Sequence, residues 1–392
     1  MSKQNKTIYA WIGNWGMKPR EEGYGITQCI YEPETGHLTV QKKAVPQVHV
    51  GHMQMDGRTG TLYCVDEQMK HPDFGMRGGG GNVYALAVGQ NGRLMLRNHQ
   101  YSYAPLPSYT CIDRSGHYLL LTNHSGGDPI TVAEKDPDGQ YQPVLYYSDA
   151  SLVLYEINED GSIGRTKDLY KVHGHGKLPG QDMPHLHSVV QSLHTGIFFV
   201  CDKGCNKVYS FKVENGQLQK CDEYIDQEGS APRYSVVVEE QNLLLINHEH
   251  LPEITALRFD ADGKMEAVGH VDLLPKVISE EKKEGSDLKL SPDGRYLYSI
   301  TRGVNYVSVV EIGREQKDLL TVKQIQHFQA TTFCGGGARG CAISPDGKYF
   351  YICVADDGAI HRFGIRQDGT LDGRDQIQYF GNPANMIFQQ YP

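Results

Sequence analysis

The strongest constraint in this sequence is a short pattern of turn and strand that recurs along it. In its clearest copy, Gly285–Gly303, Leu288 and Leu290 alternate with polar neighbours, as in a strand with one buried face. Pro292-Asp293-Gly294 then turns the chain, because proline presets φ and glycine takes the positive φ that other residues resist. Tyr296, Leu297, Tyr298 and Ile300 form a return strand of aromatic and branched residues, ending on Arg302-Gly303. Turn and return strand recur at Arg58–Tyr63, Arg114–Leu119, His194–Phe199, Glu240–Leu245 and Asp346–Tyr351, which with Asp293–Tyr298 makes six copies. A further apolar strand and a second turn follow the copies, for example Val83–Leu86 to Asn91-Gly-Arg-Leu94, and Ile360–Phe363 to Asp368-Gly-Thr-Leu371. The copy at Val307–Val310 ends on Asp318-Leu-Leu320 without glycine. Roughly fifty residues and about four strands per copy is the period of a β-propeller blade.

A seventh copy is divided between the ends of the chain. Thr7–Ile12 begins as a return strand with no partner before it, and Gly25–Ile30 and Thr35–Leu38 continue that blade. The missing first strand is Asn385–Phe388. Pairing the two ends in one blade removes an open sheet edge, which otherwise invites aggregation. The expected fold is all-β, a seven-bladed propeller closed by its terminal strands, with residues 1–392 as one domain. The segments Gln68–Gly81 and Gly126–Asp149 read as Gly-, Pro- and charge-rich loops within blades. A count of 44 Gly, 18 Pro and 24 Tyr suits this reading better than a helical one.

A net charge of −9 argues against a nucleic-acid partner, and no apolar run approaches the length of a membrane span. Met1–Lys6 runs straight into a strand without a signal-peptide core, so a cytoplasmic address is expected. The nine cysteines, mostly in strands, read as reduced core thiols.

In a propeller the start of each first strand and the end of each second strand open on the same mouth. The strand-one starts are His49 and His52, Ser108 and Tyr109, His185 and His187, Arg233, Asp287, Arg339 and Asn385. The strand-two ends are Asn14, Asp66 and Glu67, Asn123 and His124, Asp202 and Lys203, Asn247 to Glu249, Arg302 and Asp356. Three arginines on one mouth of an acidic chain suit a carboxylate or phosphate ligand, because guanidinium presents a fixed fork of donors. Some pairing of these arginines with Asp66, Asp202, Asp287 or Asp356 is expected as well. His185 and His187 would share a face only on a regular strand. No third ligand with zinc spacing follows them, so neither metal nor cofactor is expected. Arg77–Gly81 and Gly335–Gly337 lack the Lys-Ser/Thr and helix of a phosphate loop and read as turns. No Gly-x-Ser-x-Gly elbow is present, which argues against a serine hydrolase.

Pro184-His-Leu-His-Ser188, Ala231-Pro-Arg-Tyr234, Ser291–Tyr298 and Thr301-Arg-Gly303 resemble the seven-bladed lactonase family, which includes bacterial 6-phosphogluconolactonases and fungal carboxymuconate cyclases. The resemblance spans nearly the whole chain, including Asn123–Gly127 and Asp202-Lys-Gly204. It implies a functional set of His185 or His187, Arg233, Arg302 and Glu249. With the mouth positions it implies substrate contacts from Arg233, Arg302, Arg339, Asn123, Asp202 and Asp287. Three positions depart from the family pattern: Tyr234 replaces a His, Thr301 replaces an Asn, and Asn247-His-Glu249 reads as an Asn-Glu pair with one residue inserted. The activity implied is metal-free hydrolysis of a small anionic sugar-type lactone, with Arg233 and Arg302 on the anion and the developing oxyanion and His187 or Glu249 as general base. The cyclase reading runs similar chemistry in reverse, with carboxylate attack on an alkene and a proton donated to the adjacent carbon. A binding platform without catalysis is the rival reading, although only two Trp and no regular Trp-Asp signature are present. A calcium-dependent lactonase with Asn and Asp ligands is a third, separable by its sensitivity to chelators.

Overall fold

Every copy of the repeat folds as a four-stranded antiparallel sheet, and seven such sheets make the ring. The structure is a computed structural model that describes residues 7–16, 25–44, 48–71, 79–276, 278, 283–328, 337–378 and 381–389. Much of the glycine runs at Arg77–Gly81 and Gly335–Gly337, and all of Met1–Lys6, lies outside the described residues.

Blades are numbered here from the one that holds both ends of the chain. Their innermost strands are Pro383–Phe388, Val50–Asp56, Pro107–Ile112, Leu186–Gln191, Pro232–Val238, Lys283–Leu290 and Ala338–Ile343. The second strands, in the same order, are Ile8–Asn14, Thr61–Asp66, Tyr118–Asn123, Phe198–Asp202, Leu243–His248, Tyr296–Gly303 and Tyr349–Val354. Blade one closes the ring as the orphan strand suggested, with Ala10 opposite Phe388, Trp11 opposite Ile387 and Ile12 opposite Met386.

The apolar faces of the blades meet in seven separate buried clusters, one at each seam between neighbouring blades. At the closing seam Ala10, Ile12, Cys29 and Tyr31 of blade one pack with Phe388 and Met386 against Tyr351, Cys353 and Ile360 of blade seven. The last aromatic position of the repeated turn-and-strand unit also ties blade to blade. Tyr63, Tyr298 and Tyr351 donate from their hydroxyls to the carbonyls of Gly161, Gly369 and Gly36, each in a turn of the next blade, at 2.8, 2.9 and 2.6 Å. Trp11 Nε1 makes the corresponding bond to Gly92 at 3.2 Å. Gly369 takes φ +79°, and a Cβ there would come within 2.4 Å of the Tyr296 ring, so this turn requires glycine twice over.

Gly126–Asp149 is more ordered than its composition suggested. Ile130–Lys135 and Tyr141–Tyr146 pair as an antiparallel hairpin. The turn between them reuses the chemistry of the repeat: Asp136 Oδ1 accepts the Asp138 and Gln140 N–H groups, and Gly139 takes φ +82°. The copy without glycine replaces its turn by a single 3₁₀ turn at Gln316–Asp318. The eight cysteines among the described residues are free thiols, six of them buried. No helix among the described residues is long and apolar enough to cross a membrane.

Candidate active site

Two rings of residues at one end of the channel follow from how the inner strands pair. Near the mouth, the register between inner and second strand slips in all seven blades. The residues left at the slips are Ala384, Gly51 and His52, Ser108, His187, Arg233, Ser286 and Asp287, and Arg339. Such bulges re-aim a side chain, and here they turn His187, Arg233 and Arg339 into the cavity.

The second ring is the residue that follows, on each second strand, the position paired just mouthward of the slip; in blade six this residue, Arg302, is itself paired with Glu284. Asn14, Asp66, Asn123, Asp202 and His248 stand opposite Pro383, Val50, Pro107, Leu186 and Pro232. The next residues are Trp15, Glu67, His124, Lys203 and Glu249, with Arg302 following Thr301 and Ala355 following Val354 in blades six and seven. All of these except Ala355 line one cavity of about 640 Å³, which Met69 and Leu106 also wall. The apparent insertion at Asn247-His-Glu249 disappears in this register. His248 holds the place of Asp202, buried with Nε2 2.7 Å from Asp226, and Glu249 falls in line with Lys203.

Glu249 is the electrostatic centre of the cavity. Its carboxylate accepts from Lys203 Nζ and Arg233 Nε at 2.8 Å each, and Arg302 lies 3.7 Å away. Arg302 is oriented from behind by Glu284, 2.7 Å from its Nε. Arg233 is 2% exposed; it also donates to the Ser286 carbonyl and lies 4.7 Å over the Tyr234 ring. Across the mouth, the Arg339 guanidinium lies 3.5 Å over the Trp15 ring and 3.6 Å from Glu67. Five cations (Lys70, Lys203, Arg233, Arg302 and Arg339) therefore face two carboxylates in a chain that is acidic overall.

Burial alone would push the Glu249 carboxyl up, but Lys203, Arg302 and Arg233 hold it well below the usual carboxylate range. Burial, with Arg233 and Lys203 nearby, keeps the His187 ring uncharged with a pKa well below its ordinary value. His187 Nδ1 is buried with no hydrogen-bond partner, and the ring meets His124 and Tyr234 edge to face at 5.5 and 4.9 Å. Backbone strain gathers around the same cavity: Leu106, Ser125 and Ala231, beside Pro107, His124 and Pro232, all take positive φ.

Of the residues expected from sequence, the cavity brings together His187, Arg233, Glu249, Arg302 and Arg339. Four others serve the backbone or a neighbour instead. His185 precedes its strand, donates its N–H to Asp202 and bonds the His124 carbonyl through Nδ1, so the strand irregularity at His187 separates the two histidines. Asp202 accepts the N–H groups of His185, Gly204 and Cys205. Asn123 donates to the Ser102 carbonyl and Ser151 Oγ. Asp287 binds Lys289 Nζ and the Cys341 N–H. The arginines pair with Glu249, Glu284 and Glu67 rather than with the mouth aspartates, whose short side chains Asp66, Asp202, Asp287 and Asp356 spend at least in part on backbone N–H groups. The sequence places Glu67, His124 and Lys203 at the mouth without assigning them a role, and gives no sign of Trp15, Met69 and Leu106 as cavity residues. Counting one residue beyond each second strand would have found four of these six. Among the described residues, no three His, Cys, Asp or Glu side chains are placed to hold a metal ion.

Comparison with known proteins agrees with this architecture. Residues 10–388 match the family model described as lactonase, 7-bladed beta-propeller. A 6-phosphogluconolactonase of Formosa agariphila is 28% identical over 348 residues, covering 85% of this chain and 86% of its own. A 6-phosphogluconolactonase of Bacillus subtilis is 22% identical, covering 80% and 81%. Among solved structures, a Pseudomonas aeruginosa periplasmic gluconolactonase shares the fold with a TM-score of 0.83 at 18% identity, covering 98% of this chain and 100% of its own. Fold, repeat and family model coincide over nearly the full length: the chain belongs to the seven-bladed β-propeller lactonase family.

Proposed function

We propose that this protein hydrolyses the ring ester of a small anionic lactone, in the manner of a 6-phosphogluconolactonase. The observation that carries the proposal is the trio of Lys203, Arg233 and Arg302 around Glu249, set beside an uncharged His187 in one cavity. Glu249 makes a poor base, because protonating it would break up the cluster that three cations hold. Its part is to fix those cations in place. His187 is the better base: its buried Nδ1 leaves Nε2 to take a proton from water, and a neutral ring is available for that at neutral pH. Arg302 and its neighbours then face the carbonyl oxygen as negative charge develops on it. One such donor is worth about 3–4 kcal/mol in the transition state.

The test is a panel of phosphorylated, carboxylated and neutral lactones followed by proton release, before and after prolonged chelation. Turnover of an anionic lactone that survives chelation is expected. Turnover of none, or turnover restored only by added metal, rejects the proposal. A carboxymuconate added to the panel tests the cyclase reading through its consumption.

A further inference from the structure

The cavity holds two carboxylates in opposite surroundings. Glu249 is gripped at hydrogen-bond distance by Lys203 and Arg233, with Arg302 near. Glu67, three blades round the ring, meets the Arg339 guanidinium only at 3.6 Å, and that guanidinium is stacked on Trp15. The Glu67 side chain is 13% exposed and seated against the backbone of Gly51, where an added Cβ would stand 2.7 Å from Oε2. It is held in place, opens on the cavity and lies two blades from His187, with blade three and His124 between them.

We propose that Glu67 is the general acid of this cavity, handing its proton to the ring oxygen as the lactone opens. The proposal rests on the hydrolytic function above. Water gives a proton to His187 while its oxygen bonds to the carbonyl carbon, and the C=O pair moves onto oxygen beside the cations. As C=O re-forms, the bond to the ring oxygen breaks, its electron pair stays on that oxygen, and the Glu67 proton neutralises it. The new carboxylic acid ionises, returning a proton to Glu67, and His187 releases its own to solvent. The sum is lactone plus water to hydroxy-carboxylate plus one proton.

The charged groups facing Glu67 are Arg339 from blade seven, Arg233 from blade five and Lys203 from blade four, with a hydrogen bond from the Trp15 side chain of blade one. Burial outweighs them and pushes the Glu67 carboxyl up, whereas Glu249 is held down. Two groups whose surroundings drive them apart in this way mark a proton donor and a fixed anion.

The experiment uses two lactones that differ in leaving group, on wild type, Glu67→Gln and Glu67→Asp. 6-Phosphoglucono-1,5-lactone expels an alkoxide, which needs a proton, whereas a carboxylated dihydrocoumarin expels a phenoxide, which does not. Glu67→Gln is expected to lose about 10²–10⁴-fold in kcat/KM on the first and less than about tenfold on the second. Glu67→Asp, which retains a donor, keeps more rate than Glu67→Gln. The alkaline fall of the wild-type kcat/KM profile on the first lactone should vanish in Glu67→Gln. Equal losses on both lactones would make Glu67 a mere support for Arg339 and Trp15 and overturn the proposal, as would no loss on either. A wild type inactive on both lactones overturns the hydrolytic function itself, and the acid role with it.

Discussion

Glu249 shows how one side chain can hold the cations of a cavity together. Because three cations share it, replacing it leaves them facing one another in a cavity where Arg233 is almost completely buried. Glu249→Gln is therefore expected to cost about 3–5 kcal/mol of stability, the scale of breaking a buried ion pair, along with activity. Urea unfolding measures the first, and a stability unchanged within error would show that the cations do not depend on the carboxylate. His187 adds a pH dependence of known sign. Its folded pKa lies well below 6.5, so below pH 6.5 the unfolded chain takes up a proton that the folded ring refuses. Stability should fall with acid from that point down to the folded pKa, by up to about 1.4 kcal/mol per pH unit. His52, buried and stacked 3.5 Å from Tyr109, acts in the same direction. His187→Gln should flatten the acid side of a stability profile taken between pH 8 and 5, and an identical slope in the variant would contradict the neutral buried ring.

At the scale of elements, the slip in each inner strand separates what could be read in advance from what could not. Turn residues and apolar alternation announced the seven blades and the pairing of Ile8–Asn14 with the end of the chain. Strand counting then placed Arg233, Arg302 and Arg339 at one mouth, because a whole strand's length separates the two ends of the channel. It could not choose His187 over His185, since a one-residue bulge reverses the direction of a side chain and leaves no mark in composition. Nor could it show that Asn123 and Asp202 are spent on their own blades, which depends on the N–H and carbonyl groups that the bulges leave to be bonded. The closing strand itself is testable. Phe388 packs edge-on to Tyr31 of its own blade at 5.2 Å and, across the seam between the last blade and the first, tilted on Tyr351 at 5.6 Å. Phe388→Ala is expected to cost about 3–5 kcal/mol. The loss is read in the melting transition, and a variant that melts with wild type would mean that this seam does not hold the ring.

Over the whole molecule, an acidic surface surrounds a mouth where cations outnumber carboxylates. A cleft of one sign between low-dielectric walls concentrates its field on a ligand of the other sign. Seven blades, each buried against two neighbours, hold that cleft rigid while all seven send residues to its rim. In the proposed function these cations recognise an anionic lactone and stabilise its opening. This is tested most directly by kcat/KM for 6-phosphoglucono-1,5-lactone against glucono-1,5-lactone, in wild type and in Arg302→Ala. Wild type should strongly prefer the phosphorylated lactone, and Arg302→Ala should lose about 3–4 kcal/mol of transition-state stabilisation on it. Equal turnover of the two lactones by wild type, or an unchanged kcat/KM in Arg302→Ala, would contradict it.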